Sequence, residues 1–265
     1  MQHYKNFNLT KYNSFNIKSV AENMWFPEST ADIADALQQN PHVLGGGTNV
    51  LLDEKLNHVM CLEKYKRFCK LNDNNIMVTS NTLTCDVVKF AKRRKLSGLE
   101  FATGIPGTIG GAVTMNAGSG GCDFSKICKY VNGYDENSKF ICLPNKTLQF
   151  SRRHSIIQDL HCVVYLVELQ LNKGSMLKPS KHRKHFPTKP SAGGIFKNWH
   201  SLLPYEKQLI NLSCGNAQVS NCVNIIVNNG KATTNDVLKL IGKIKHIVDA
   251  PLELEIKLIQ EKKYK

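Results

Sequence analysis

His42-Val-Leu-Gly-Gly-Gly-Thr-Asn-Val-Leu-Leu52 and Gly98-Leu-Glu-Phe-Ala-Thr-Gly-Ile-Pro-Gly-Thr-Ile-Gly-Gly-Ala-Val-Thr-Met-Asn-Ala-Gly118 are the two stretches from which the fold is read. In the first, apolar residues run into Gly45, Gly46 and Gly47 and out through Val50, Leu51 and Leu52, the pattern of a strand, a tight loop and a second apolar segment. In the second, Gly104, Gly107, Gly110 and Gly111 crowd around Thr108. Successive glycines let backbone N–H groups converge on one anion, because no Cβ blocks the approach. Thr48 and Thr108 add hydroxyls, and Asn49 adds an amide. Neither cluster is a Walker A loop, since no Lys-Ser/Thr pair follows, and Val50 stands where the third glycine of a Rossmann fingerprint belongs. Turn duty explains a lone glycine triplet. Two clusters, each flanked by apolar residues and each carrying a hydroxyl, point instead to a pyrophosphate cradle, and so to a dinucleotide cofactor held outside a Rossmann fold. Pro106 suits the first turn of a helix whose N-terminus faces that ligand.

Outward from these loops, residues 28–40 place a Ser/Thr cap before Ile33 and Leu37 and end at Pro41, a short amphipathic helix. A second helix is predicted from Thr84 through Lys95, with Val87, Val88, Ala91 and Leu96 inward and Gly98 closing it. Ile76–Thr79, Phe140–Leu143, Cys162–Leu171 and Val223–Val227 read as strands. Asn228-Asn-Gly makes a turn, and Thr234 is expected to cap a helix with the stripe Val237, Leu238, Leu240, Ile241, Ile244 and Ile247. Alternation over 252–258 puts Leu252, Leu254, Ile256 and Leu258 on one face and Glu253, Glu255 and Lys257 on the other. Between 173 and 189, Lys178, Lys181, His182, Arg183, Lys184, His185 and Lys189 crowd around prolines, which predicts a domain boundary in that segment.

The chain has 265 residues, 42% hydrophobic and 21% charged, enough for a full core and too polar for a membrane protein. No apolar run approaches the roughly 18 residues of a membrane span, and the start lacks an apolar signal core, so a soluble protein not exported by a standard signal is expected. The net charge of +14 suits an anionic ligand. A nucleic-acid binder would interleave aromatics with its basic residues, and the basic cluster does not. Nine cysteines form no Cys-x-x-Cys pair and no zinc-finger spacing, which argues against metal and for reduced thiols in a cytosol-like compartment.

Leu44–Leu52, Gly98–Gly118 and Pro190-Ser-Ala-Gly-Gly-Ile-Phe-Lys-Asn198, followed by Ala217-Gln-Val-Ser220 and Leu252-Glu-Leu-Glu-Ile256, resemble in order the motifs of the MurB-type UDP-N-acetylenolpyruvoylglucosamine reductase family, in its compact subtype. The resemblance runs over nearly the whole chain. It implies a cytoplasmic, monomeric flavoenzyme of peptidoglycan synthesis in which NADPH reduces bound FAD and a UDP-sugar is the substrate. The implied fold is α+β: a two-lobed non-Rossmann FAD-binding module plus a smaller α/β substrate-binding domain. The lobes are expected at 1–64, joined by a strand at 252–265, and at 65–183, with the substrate domain at 184–251.

Carried onto this sequence, the resemblance assigns Gly45, Gly46, Gly47, Thr48 and Asn49 to the FAD pyrophosphate. It assigns Gly104, Gly107, Thr108, Asn116, Ala117 and Gly118 to the rest of the cofactor site. Arg153 and Glu255 match the family's catalytic arginine and glutamate, and Lys197 and Asn198 fall in the segment that meets substrate near its phosphates. Hydride addition to the alkene drives negative charge toward the adjacent carboxylate, which calls for a cation and a hydrogen-bond donor there. Arginine supplies a permanently charged planar fork, and a glutamate donates only if burial raises its pKa.

The sequence also departs from the family. Gly194 replaces the serine that serves as proton donor, Arg152 replaces an aromatic, and Ser220-Asn-Cys-Val-Asn224 is one residue short and lacks a histidine. Loss of a positioned general acid costs about a hundredfold to ten-thousandfold in rate. The alternative to an active reductase is therefore a flavin-binding relative with weak or no turnover, and Gly194→Ser presents itself as a gain-of-function test.

Overall fold

The computed structural model describes residues 1–176 and 187–261. The basic residues from Lys178 to His185, with most of the segment predicted to hold a domain boundary, lie outside the described residues, as do 262–265 at the end of the expected joining strand. The chain forms two compact units. One takes in the described residues of Met1–His3, Trp25–Gly46 and His58–Arg183, the other those of Tyr4–Met24, Gly47–Asn57 and Lys184–Lys265.

In the first unit, helix α1 (Thr30–Leu37) starts at a full capping box. Ser29 Oγ accepts from the Asp32 N–H at 3.1 Å, and the Asp32 carboxylate accepts from the N–H of Ser29 at 3.2 Å. Ile33 and Leu37 are buried against Trp25, Met60 and Leu62, each contributing about 1.5–3 kcal/mol. A five-stranded antiparallel sheet runs in the order Phe140–Pro144, Cys128–Tyr134, Val163–Gln170, Asn75–Thr79, Cys69–Asn72. Its members include the three strands expected at 76–79, 140–143 and 162–171. Ile76, Val78, Val131, Val167 and Leu169 from these strands share one core with Val87, Val88 and Ala91 of helix α2 (Thr84–Arg93). Leu96 joins them as expected, but Gly98 does not close α2. Arg94 caps the helix and Lys95 takes the left-handed turn at φ 52°, so the chain has already left the helix three residues earlier. His42–Val43 forms a short strand parallel to Lys55–Met60, with His42 opposite Val59 and Val43 opposite Met60. Helix α3 (Ile109–Thr114) begins within the second glycine cluster and includes Gly110 and Gly111.

The second unit holds a three-stranded antiparallel sheet in the order Ser213–Cys214, Ala217–Val219, Ile226–Asn228. A one-turn helix α4 (Glu206–Leu209) precedes it, and helix α5 (Thr234–Ile247) follows. Val237, Leu240, Ile241 and Ile244 of α5 bury against Ala217, Val219 and Ile226, while Leu238 and Ile247 are half-buried. The cap of α5 is Thr233 rather than Thr234, because only from position 233 does Asp236 stand three residues on and close a capping box. The Thr234 hydroxyl instead donates to the Leu52 carbonyl.

Two predicted strands are shorter than their patterns. Val223–Ile225 is not extended: Ser220 Oγ accepts from the N–H of Cys222 at 3.1 Å, and the Ile225 N–H donates to the Cys222 carbonyl at 2.8 Å, so a tight turn takes up these residues. At the C-terminus, strand structure covers only Lys257–Ile259, parallel to Val50–Leu52. Leu252 and Ile256 are buried and Leu254 is half-buried, but a bend at Ile256 shifts the phase, and Ile259 is buried in place of Leu258. Among the described residues, no helix is long and apolar enough to cross a membrane.

Candidate functional site

The glycine clusters meet within the first unit. A Cβ built on Gly46 would lie 2.7 Å from the Cα of Gly107 and 3.3 Å from the N of Thr108, so the two backbones touch with no room for a side chain. Gly45 approaches the Thr108 hydroxyl, its built Cβ being 3.1 Å from Oγ1. The second loop is held from behind: the Thr84 N–H donates to the Gly107 carbonyl at 2.9 Å, Ile109 to Thr82 at 2.9 Å and Gly110 to Ser80 at 2.8 Å. Pro106 is not in the first helical turn. Thr108 caps α3, its Oγ1 accepting weakly from the Gly111 N–H at 3.5 Å, and Pro106 and Gly107 (φ 94°) form the loop before it.

Among the described residues, the N–H groups of Gly45, Gly46, Gly107 and Thr108 donate to no carbonyl. Gly45 and Gly46 are exposed, and Gly107 and Thr108 half-exposed. Four backbone donors on two loops in van der Waals contact fit a diphosphate, which offers several acceptor oxygens and suffers no clash from missing side chains.

Further along this unit, Asn116 is 2% exposed and sits at φ 41°. Its Oδ1 accepts from the Ser125 N–H at 2.9 Å and its Nδ2 donates to the Ser151 carbonyl at 2.9 Å. The side chain of Asn116 therefore braces the loop, whose Ala117 N–H donates to Ala112 at 2.8 Å. Gly118 begins a two-residue ladder with Cys122–Asp123. Arg153 lies in a turn closed by Ser151 and His154, at φ 57° and half-buried. Its Nη2 donates to the Gly118 carbonyl at 2.9 Å, and Nη1 reaches the Asn116 carbonyl at 3.5 Å. Arg153 is thus brought to Asn116 and Gly118, from which it is 37 and 35 residues distant in sequence.

The remaining candidates belong to the second unit. Gly47 takes φ 64° against Tyr12 and accepts from the Ser14 N–H at 2.9 Å. Thr48 is half-exposed beside it. Asn49 ties the first loop to Glu255: its Nδ2 donates to the Glu255 carbonyl at 3.0 Å, and its own carbonyl accepts from Lys257 N–H at 3.0 Å. Glu255 is half-buried, with its N–H on the Ile195 carbonyl at 2.8 Å. Lys197 pairs with Glu253 at 2.5 Å, and Asn198 donates from Nδ2 to the Pro251 carbonyl at 2.6 Å while accepting from the Glu253 N–H at 3.0 Å. Lys197 and Asn198 hence fasten residues 194–198 to 251–255. Glu253 and Asn224, the latter beside Gly194, lie in the segments Leu252–Ile256 and Ser220–Asn224, but neither residue carries a role of its own in the sequence. Glu253 was legible only as the neighbour of Glu255 on the same face.

Residues 22–136 match the family model described as FAD binding domain, and residues 185–263 match UDP-N-acetylenolpyruvoylglucosamine reductase, C-terminal domain. The UDP-N-acetylenolpyruvoylglucosamine reductase of Pseudothermotoga lettingae is 33% identical over 267 residues, 94% of this chain and 94% of the relative. This chain belongs to the UDP-N-acetylenolpyruvoylglucosamine reductase family. The namesake from Caldanaerobacter subterraneus subsp. tengcongensis is 30% identical, covering 98% of this chain and 94% of its own. The crystal structure of the family member from Thermus caldophilus superposes with a TM-score of 0.81 at 29% identity, covering 98% of both chains. The α+β fold is therefore that of an FAD-containing oxidoreductase family, and the loop contact at Gly46 and Gly107 lies in the FAD-binding match.

Proposed function

We propose that this chain is an NADPH-dependent reductase that converts UDP-N-acetylenolpyruvoylglucosamine to UDP-N-acetylmuramate in peptidoglycan synthesis. The observation that carries this reading is the match to reductases over nearly the full length of both chains. Bound FAD would supply the hydride-carrying chemistry between NADPH and the enolpyruvyl double bond. The residues of this chain do the rest. The amides of Gly45, Gly46, Gly107 and Thr108 hold the diphosphate bridge, with Gly47, Thr48, Asn49, Gly104, Asn116, Ala117 and Gly118 supporting the same ligand. Arg153, its fork oriented by the Gly118 carbonyl, meets the negative charge that develops on the substrate carboxylate. Glu255, fixed at its main chain by Asn49 and Ile195, supplies the hydrogen-bond donor or proton on that side of the reaction. Lys197 and Asn198 serve the UDP diphosphate.

The organisation that goes with this reading is an FAD module of 1–64 with 252–265 and 65–183, and a substrate domain of 184–251, working as a cytoplasmic monomer. Nine unpaired cysteines suit a reducing compartment. The test is steady-state NADPH oxidation by the purified, flavin-loaded protein. Oxidation stimulated by the UDP-enolpyruvyl sugar supports the assignment, and bound FAD without that stimulation overturns it in favour of a flavin-binding relative without turnover.

A further inference from the structure

Gly194 and Asn224 share one volume. A Cβ on Gly194 would lie 2.8 Å from Asn224 Nδ2, 3.8 Å from its Cγ and 3.7 Å from Glu255 Oε2. The Asn224 amide is not free to swing away. Its Oδ1 accepts from the Phe196 N–H at 2.9 Å and its Nδ2 donates to the Phe196 carbonyl at 3.0 Å, a two-point clamp that also fixes which end is oxygen and which nitrogen. The main chain repeats the contact, with the Ile195 N–H on the Asn224 carbonyl at 2.9 Å and Ile225 bridged to Gly194. On its other side the same strip holds Glu255 through the Ile195 carbonyl. The second N–H of Asn224 has no partner among the described residues. An amide donor and a carboxyl group therefore flank the point above Gly194 where a side chain would begin.

We propose that Asn224 is a positioning residue for proton delivery: its second amide hydrogen and the Glu255 carboxyl hold a water molecule beside Gly194. An amide does not release a proton near neutral pH, so Asn224 acts through that water. In the step, an O–H bond of the water breaks as the C–H bond forms at the substrate carbon beside the carboxylate. The water oxygen takes the carboxyl proton of Glu255, and solvent restores that proton afterwards. The inference rests on the reductase reading above, and it reverses the sequence-based expectation for Gly194→Ser: a serine Cβ enters at 2.8 Å from a clamped amide and displaces it.

The experiment compares wild type, Asn224→Ala, Gly194→Ser and the double variant, each loaded with FAD. The readouts are kcat and KM for the UDP-enolpyruvyl sugar, the rate of flavin reduction by NADPH alone, and the melting temperature of the flavin-free protein. Asn224→Ala is expected to lower kcat about a hundredfold, the scale of one lost general acid, with flavin reduction and KM within threefold of wild type. Gly194→Ser alone is expected to lower kcat and melting temperature together. In the double variant the serine hydroxyl enters the vacated space and raises kcat at least tenfold over Asn224→Ala. Unchanged kcat in Asn224→Ala, equal loss in both half-reactions, or no recovery in the double variant overturns the inference while leaving the reductase reading intact. A wild type that binds FAD but ignores the sugar overturns both.

Discussion

Arg153 Nη2 donates to the main-chain carbonyl of Gly118 at 2.9 Å, so one edge of the guanidinium is fixed by the loop that carries three of the cofactor-site residues. That hydrogen bond fixes the orientation of the planar fork. Arg153→Ala is expected to slow reduction of the UDP-enolpyruvyl sugar about a hundredfold to a thousandfold while flavin reduction by NADPH persists. Arg153→Lys should not restore it, because an ammonium lacks the planar fork. Stopped-flow measurement of the two half-reactions checks this, and equal loss in both would remove Arg153 from the substrate step.

Gly46→Ala sets a Cβ 2.7 Å from the Cα of Gly107, a backbone atom that cannot step aside like a flexible side chain. The loops must separate, at a cost of about 1–3 kcal/mol by the usual penalty of overpacking. We expect at least a tenfold loss of FAD affinity, read by flavin fluorescence titration. Retention of wild-type affinity would detach the glycine contact from cofactor binding.

Asn228 is 2% exposed, and its side chain joins three segments of the second unit. Nδ2 donates to the Phe15 carbonyl at 2.8 Å, and Oδ1 accepts from the N–H groups of Gly230 at 2.8 Å and Ala232 at 2.9 Å. Asn228→Ala leaves these groups without partners and is expected to destabilise the protein by about 2–3 kcal/mol. Urea denaturation measures the loss, and a change below about 0.5 kcal/mol would mean water replaces the amide fully.

Burial pushes the thiol pKa values of Cys61 and Cys162 up to about 11 and that of Cys128 up to about 12, from an ordinary value of 9.0. The raised folded value stabilises the neutral thiol, so this contribution is whole below pH 9 and is lost as pH rises through 11 to 12. Cys85, Cys122 and Cys142 are exposed. At pH 8, iodoacetamide should alkylate these three first and Cys61, Cys128 and Cys162 at the rate of unfolding, as followed by peptide mass spectrometry. Alkylation of all six at one rate would contradict the burial.

The helices and most strands were legible because their signals are local. Ser29 with Asp32 three residues on, or Val87, Val88 and Ala91 on one face, lie within a single turn or two of helix, and the cores confirm both. Boundaries failed where a nearby competitor altered the pairing: Asp236 selects Thr233 over Thr234 as the cap, and the turn begun at the Ser220 hydroxyl takes up the first three residues of the strand predicted at 223–227. The candidate site was legible as a set of residues but not as a geometry. Nothing in Gly194 or Asn224 taken singly shows that they compete for the same few ångströms, and so the expected sign of Gly194→Ser was the opposite of the one the clamp on Phe196 implies.

By itself the sequence determined the residue types: two glycine loops able to present amides, an invariantly charged arginine, a carboxylate on an alternating strand, and motifs in the order of one reductase family. Those are properties of short stretches, set by backbone freedom, periodicity and side-chain chemistry. Tertiary structure alone decided that Gly46 touches Gly107, that Arg153 rests on Gly118 and that Asn224 stands over Gly194. Each contact joins residues 30 or more positions apart, and its distance is set by close packing of whole elements, where one methyl group is the difference between contact and clash.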